Sequence, residues 1–174
     1  MDMQEAVAAT ENIDPAQHLV AFRLAERNLA LPAACVEQIV PMLAITPAPQ
    51  AHEALAGMIN VHGAWTPVID LRRYLELAAL APKLQTPILL MRYEGHLLGL
   101  IVDEVLDVIS VPAEQITPVA PLLPEGIRQV TGPARLANGP GEALFVLDVE
   151  DVFRYRQGEA LAQAVRALFS EQNL

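Results

Sequence analysis

The side chains that could do chemistry are few and scattered along the 174-residue chain. Ser110 and Ser170 are the only serines, and neither lies in a Gly-x-Ser-x-Gly nucleophile elbow. No histidine has a second ligand-type residue at zinc-site spacing, and we interpret each as a surface or turn residue: His18, His52, His62 and His96. The sequence therefore predicts no catalytic residue, no cofactor and no metal site.

Four aspartates could be imagined as a carboxylate cluster, but their surroundings favour structural roles. Asp70 and Asp148 each follow an apolar strand pattern and can cap a short helix, whereas Asp103 and Asp107 lie beside a strand end. The glycine-rich segment 132–141 has neither a Gly-Lys-Ser/Thr ending nor a Gly-x-Gly-x-x-Gly order, so it is predicted to be a hairpin loop. Cys35 lies in an apolar run, where a small buried residue is favoured over the alternative of a reactive thiol. Contact surfaces are a better expectation than catalysis.

Composition narrows the class of partner. Apolar residues make up 53% of the chain, and the net charge is −10 from 21 acidic and 11 basic side chains. Such a surface repels phosphate backbones and anionic lipid, so neither nucleic acid nor peripheral membrane binding is expected. The N-terminus has no basic and apolar signal regions, and no run approaches the ~18 apolar residues that span a bilayer, so no direct membrane insertion is expected. A cytoplasmic protein is expected.

Periodicity predicts a chain made mostly of short strands. Residues 1–17 are polar and acidic and are predicted to be a flexible tail. Alternation predicts strands over 18–24, 29–31 and 36–40, and a strand, a glycine turn and a second strand over 57–70. A short helix is expected from Leu71 to about Leu77, then a linker over 81–87. A C-terminal helix over 156–174 is predicted to pack through a stripe formed by Leu161, Val165, Leu168 and Phe169.

The two halves of the chain resemble each other weakly. Segment 29–40 can be laid over 98–109, so that Leu29 matches Leu98 and Val36 matches Val105. Segment 68–75 matches 146–153, with Asp70 over Asp148. Two matches in the same order favour duplication. We therefore expect two small barrels that share an apolar seam, roughly 25–85 and 86–155, with the N-terminal strand shared.

Six short motifs then resemble those of the CheW family, the coupling proteins of bacterial chemosensory arrays. They are residues 22–24 (Phe-Arg-Leu), Val36 with Ile39, 57–63 (Gly-Met-Ile-Asn-Val-His-Gly), 67–72 (Pro-Val-Ile-Asp-Leu-Arg), 99–103 (Gly-Leu-Ile-Val-Asp) and 113–116 (Ala-Glu-Gln-Ile). The likeness runs from about His18 to Phe153, within a predicted domain 18–155. It implies an all-β fold of two SH3-like five-stranded barrels packed side by side, followed by the C-terminal helix.

The resemblance also implies a function and a set of sites. Members are non-catalytic scaffolds that couple the cytoplasmic tip of a methyl-accepting chemoreceptor to the regulatory domain of a CheA-type histidine kinase, and other CheW-like proteins are further expected partners. The receptor lies in a groove between the barrels, for which the matched positions are Val36, Gln38, Ile39, His62, Val105 and Val108. The positions that match structural motifs are Gly57, Asn60, Gly63, Pro67, Asp70, Gly99 and Asp148.

This chain departs from the family at two of the groove positions. The family usually has glutamate where this chain has Gln38 and arginine where it has His62. Gln38 could still hydrogen-bond a neutral His62. Strand alternation places Val36 and Gln38 on one face, with Glu37 and Ile39 on the other. The alternative function is an adaptor of a divergent pathway, controlling surface sensing, pilus motility or second messengers, with altered partners.

Overall fold

The computed structural model describes residues 17–48, 52–118, 127–130, 144–147, 153 and 158–171. Within these residues, two helices are present, α1 (Leu71–Tyr74) and α2 (Gly158–Glu171), with 3₁₀ turns at Ala33–Cys35 and Ala113–Gln115. The strands in chain order are β1 (Gln17–Leu24), β2 (Arg27–Pro32), β3 (Val36–Val40), β4 (Leu55–Val61), β5 (Ala64–Asp70), β6 (Ile88–Tyr93), β7 (His96–Ile101), β8 (Glu104–Val111), β9 (Ile116–Pro118), β10 (Ile127–Val130) and β11 (Leu144–Leu147).

These strands form two sheets. One sheet has six strands in the order β8-β1-β2-β11-β10-β9, and the other has five in the order β3-β6-β7-β5-β4. Most neighbouring strands are antiparallel, but β2 with β11 and β5 with β7 are parallel. The predicted all-β class with a C-terminal helix is confirmed. The predicted helix from Leu71 ends earlier than expected, because Leu75 already has the C-cap conformation.

The chain does not fold as two consecutive halves, so the predicted boundary near residues 85 and 86 is wrong. Strands β6 and β7 follow that boundary but lie in the five-stranded sheet, between β3 and β5. Strand β1 pairs with β2 and β8 in the six-stranded sheet and is not shared. The physical reason lies in the strand pairing. The β6–β7 hairpin follows β3, β4 and β5 in the chain but pairs between β3 and β5, and the β1–β2 hairpin precedes β8 to β11 but pairs between β8 and β11. The polypeptide crosses between the sheets after β2 and again after β7.

The strand registers explain the internal repeat. Val36 lies opposite Met91 in the β3–β6 pair, and Val105 lies opposite Phe22 in the β8–β1 pair. Both members of the second pair are 69 residues from their counterparts in the first. The parallel pairs agree as well, since Val68 faces Gly99 and Val146 faces Ala30. The two sheets therefore repeat one pattern of strand pairing.

The apolar core has three parts, because β1 and β6 bury both faces. We call each sheet with its own interior a unit. In β1, Leu19 and Ala21 point into the interior of the six-stranded unit, whereas Val20 and Phe22 point toward the five-stranded unit. In β6, Ile88 and Leu90 point into the five-stranded unit. The cluster between the units, called the seam core below, includes Val20, Phe22, Leu24, Leu29, Leu31, Leu55, Ile69, Leu71, Tyr74, Leu89, Met91, Leu98 and Leu100. The expected shared seam is thus present.

Helix α2 completes the seam core. Its predicted stripe is buried there, with Leu161 and Val165 at 0% exposure. Phe169 of the stripe also stacks its ring on His96, with the ring centroids 4.3 Å apart. Outside the stripe, Arg166 donates to both carboxylate oxygens of Glu94 in the β6–β7 turn. Since these contacts join the helix to the five-stranded sheet, α2 is an integral part of the fold.

Candidate functional site: a groove between two edge strands

Strands β3 and β8 each form one edge of a sheet, and both border the seam core. Val36 at the start of β3 and Val105 near the start of β8 are half-buried and pack against that core. Because Val36 faces Met91 and Val105 faces Phe22, the two valines lie over neighbouring parts of one apolar cluster. The seam thus has a pair of related aliphatic residues at its margin.

A β-bulge in β3 changes which of its side chains share a face. Val36 pairs with Met91 but Gln38 pairs with the next β6 residue, Leu90, so Glu37 is an extra residue. Leu90 belongs to the interior of the five-stranded unit, and directly paired residues point to the same side of a sheet. The prediction that Val36 and Gln38 share a face is therefore wrong.

Ile39 occupies the face that alternation assigned to Gln38. It pairs with Leu89 of the seam core, as Val36 pairs with Met91. Unlike Val36, Ile39 is exposed, with 41% of its surface accessible. Gln38 is exposed too, but it lies on the opposite side of the strand from the seam.

Strand β8 repeats this arrangement with its own bulge. The register shifts between Ala21 and Phe22 of β1, which pair with Asp107 and Val105. Val108 pairs with Val20 of the seam core and is 57% exposed. Two inner and two outer aliphatic side chains therefore face the seam from two edge strands. We call these four the groove quartet: Val36, Ile39, Val105 and Val108.

His62 lies on neither β3 nor β8 but at the tip of the β4–β5 hairpin. Its φ is +49°, and the turn is closed by a 2.7 Å hydrogen bond from the Gly63 amide to Asn60 Oδ1. The His62 side chain is exposed, and no hydrogen bond joins it to Gln38 in the described part of the chain. Of the six predicted groove residues, the structure places four on the seam-facing sides of β3 and β8, and it gives Gln38 and His62 other positions.

The predicted motif residues that the structure describes lie in the five-stranded sheet and at the start of α1. A Cβ on Gly57 would come within 2.3 Å of the Thr46 carbonyl oxygen, and its φ is +143°. A Cβ on Gly99 would meet Ile88 Cγ2 at 2.9 Å, so β7 needs glycine there. Pro67 pairs with Met58. As predicted, Asp70 caps α1, accepting from the amides of Arg72 and Arg73. Asp148 lies outside the described residues.

An ion pair that sequence reasoning missed joins Arg72 to Asp103. Arg72 Nε lies 2.7 Å from Asp103 Oδ1, and the second guanidinium nitrogen binds the other carboxylate oxygen. Burial disfavours the charged form of Asp103, but hydrogen bonds from Arg72 and the Ala25 amide outweigh it, so its pKa is lowered. The pKa of Arg72 is raised, chiefly by the same hydrogen bond. The sequence signal for this ion pair is Asp103 itself, a carboxylate that stands between two apolar strand patterns.

The described residues offer little else for chemistry. They contain no group of three or more side chains suited to hold a metal ion. Among the helices that the structure describes, none is long and apolar enough to cross a membrane. The quartet is apolar and has no titratable member, so the arrangement is suited to binding an aliphatic surface.

This chain is similar in sequence and in fold to known proteins. A model of the CheW-like domain matches residues 18–157. Chemotaxis protein CheW of Rhizobium meliloti is 25% identical over 153 residues, which are 88% of this chain and 97% of that protein. Chemotaxis protein CheW of Bacillus subtilis is 31% identical over 122 residues, covering 70% and 76% of the two chains. The crystal structure of the scaffolding protein TtCheW from Thermoanaerobacter tengcongensis has the same fold, with a TM-score of 0.71, 24% identity, and coverage of 82% of this chain and 95% of that one. The chain belongs to the CheW-like domain family.

Proposed function

We propose that this chemotaxis coupling adaptor binds the cytoplasmic tip of a methyl-accepting chemoreceptor and the regulatory domain of a CheA-type histidine kinase. It acts in the cytoplasm, beside receptor arrays, and catalyses no reaction of its own. The observation that carries the proposal is the groove quartet, in which exposed Ile39 and Val108 stand beside half-buried Val36 and Val105.

The quartet fits a helical partner. An amphipathic helix binds by laying an aliphatic ridge into an apolar groove, and a chemoreceptor tip is a helical hairpin. Ile39 and Val108 occupy related positions on two strands, so one ridge can contact both walls. Each has a large exposed area left to bury, whereas the inner valines already support the fold. The outer pair is therefore expected to contribute most of the binding free energy.

Arginine substitutions in the outer pair test this proposal. Ile39→Arg and Val108→Arg should each weaken binding of a soluble receptor tip fragment by ~2 kcal/mol or more, about thirtyfold, because they put a charge where an apolar contact forms. Calorimetric titration measures this affinity. The control, Gln85→Arg, adds the same charge to an exposed linker residue and should bind as the wild type does.

The kinase arm of the experiment separates loss of one partner from loss of the fold. Both groove variants should keep their affinity for the kinase regulatory domain and their melting temperature. Failure of the wild-type protein to form any complex with the receptor fragment or the kinase domain at tens of micromolar would contradict the proposal.

A second candidate is an adaptor of a divergent chemosensory pathway, for surface sensing, pilus motility or second-messenger control. It is favoured by Gln38 and His62, which stand where the family has glutamate and arginine. Both are exposed, and they are not hydrogen-bonded to each other among the described contacts. The double change Gln38→Glu with His62→Arg discriminates. A tenfold or greater gain in receptor affinity, the scale of a charged hydrogen-bonded pair, would indicate a weakened coupler of the first kind. No gain would favour altered partners.

A further inference from the structure

Asp103 lies where the chain crosses from the five-stranded sheet back to the six-stranded sheet, between β7 and β8. Its amide donates to the Arg23 carbonyl oxygen at 3.0 Å, and its carboxylate accepts from the Ala25 amide at 2.7 Å. Arg23 and Ala25 belong to the β1–β2 hairpin of the six-stranded sheet. The backbone amide and the side-chain carboxylate of Asp103 are therefore both bound to that hairpin.

The same carboxylate is held from the other side by Arg72. This residue belongs to α1, which directly follows β5 of the five-stranded sheet and is anchored by Leu71 and Tyr74 in the seam core. The guanidinium binds both carboxylate oxygens and also donates to the Ala78 carbonyl oxygen at 2.8 Å. The two side chains are only 15% and 19% exposed. A bidentate, largely shielded pair holds a narrow geometry that a flexible surface ion pair does not.

The position of this pair connects it to the groove. Val105 of the quartet follows Asp103 by two residues, so the start of the β8 wall is fixed to α1 of the other unit. The position related to Asp103 by the internal repeat is Ala34, ahead of β3, which has no group that could form such a pair. Glu37 and Arg92 do form an ion pair, but they join β3 to β6 within one sheet.

We infer that Arg72 and Asp103 are positioning residues for the groove, which fix the β8 wall relative to the sheet that carries the β3 wall. The spacing of the two walls is then set before a partner arrives, and a preset groove loses less conformational entropy on binding. The identity of that partner rests on the proposed function, but the spacing itself is a property of the free protein.

Distance measurements between spin labels test the inference directly. One label is placed on each wall, through Gln38→Cys and Ser110→Cys in a Cys35→Ala background. The distance distribution between the labels should broaden or shift in Arg72→Gln and in Asp103→Asn. The matched control is Arg73→Gln, which removes the neighbouring cation of the same helix, a more exposed side chain that contacts Asp70. That control should keep the wild-type distribution.

Binding of a soluble chemoreceptor tip fragment gives the functional readout, measured well below the melting temperature of every variant. Affinity should fall about tenfold in Arg72→Gln and Asp103→Asn and stay unchanged in Arg73→Gln. The double variant should bind like either single variant, because the two residues act as one pair. Arg72→Lys, which keeps the charge but loses the bidentate geometry, should give intermediate values, and it replaces Arg72→Gln if that protein does not fold.

An unchanged label distance in folded Arg72→Gln and Arg72→Lys would overturn the inference, as would lower thermal stability with wild-type affinity. If the wild-type protein does not bind the receptor fragment, the proposed function fails, and the label distances still decide whether the pair sets the wall spacing.

Discussion

Substitution of Gly57 by alanine should destabilise the protein more than any other glycine-to-alanine change in the β4–β5 hairpin. Gly57 has a φ of +143°, and an added Cβ would lie 2.3 Å from the Thr46 carbonyl oxygen and 2.7 Å from Ile45 Cγ2. Thr46 and Met58 exchange two backbone hydrogen bonds of 2.8 Å at this place. These bonds attach the segment after β3 to β4, so they also support the β3 wall of the groove.

The expected cost follows from these contacts. Backbone strain at such a φ costs ~1–3 kcal/mol for a residue with a Cβ. Loss of the two hydrogen bonds adds ~0.5–1.5 kcal/mol each. The free energy of unfolding should therefore fall by roughly 2–6 kcal/mol, with a central value of about 4 kcal/mol, which leaves a domain in the middle of the ordinary stability range folded. With a urea slope of ~1–3 kcal/mol per molar, the unfolding midpoint should drop by about 2 M.

Gly63 supplies the matched control in the same hairpin. Its φ is +89°, but no atom lies within 4 Å of the position that an added Cβ would take, so Gly63→Ala adds strain without a clash. It should cost only ~1–2 kcal/mol. Urea unfolding followed by circular dichroism, with equal slopes for both variants, measures the difference. Equal destabilisation of the two variants, within ~0.5 kcal/mol, would refute the role given to the Thr46 contact.

Three further predictions follow from other contacts. Asp70→Ala removes the side chain that accepts from the Arg72 and Arg73 amides and should lower the free energy of unfolding by ~1 kcal/mol in urea unfolding, whereas Asp70→Asn should keep most of it. The pKa of Asp103 in the folded protein lies below its ordinary value of 3.8, so the ionised carboxylate stabilises the fold above that value. This contribution is lost as the pH falls through the folded-state pKa. Urea midpoints measured from pH 6 down to pH 2 should therefore fall less steeply in Asp103→Asn than in the wild type. Leu161→Ala, at a fully buried position of α2, should cost ~2–5 kcal/mol and lower a single cooperative melting transition, whereas a separate early transition would show that the helix is not integral to the domain.

Much of the local structure could be predicted from the sequence, because strands, turns and helix starts are specified by residues that are close together in the chain. Alternation of apolar residues predicts the strands, and Asn60 with Gly63 predicts the turn between β4 and β5. Asp70 predicts the helix start, since a carboxylate after a strand can accept from the first free amides. The helical stripe of α2 likewise predicts burial, because one continuous apolar face needs a partner surface.

Other features depend on contacts between distant segments and were not predictable. The bulge in β3 is a single extra residue, Glu37, and it reverses the faces of Gln38 and Ile39 without changing the apolar pattern. Strands β6 and β7 join the sheet of β3 to β5, and β1 and β2 join the sheet of β8 to β11. This choice depends on pairing between strands that are tens of residues apart, so a division of the chain into two consecutive repeats places β6 and β7 in the wrong sheet. Arg72 and Asp103 are 31 residues apart, so their ion pair has no local signal.

Receptor-dependent kinase activity in a reconstituted system tests the central claim most directly. The components are receptor signalling fragments arrayed on vesicles, the kinase, and the adaptor, and the measurement is the rate of kinase autophosphorylation. The wild-type adaptor should make that rate depend on the receptor, and Val108→Arg should abolish the dependence while still binding the kinase regulatory domain. Coupling by Val108→Arg at the wild-type level, or no receptor-dependent activity with the wild-type adaptor, would contradict the assignment of the groove quartet as the receptor-binding surface.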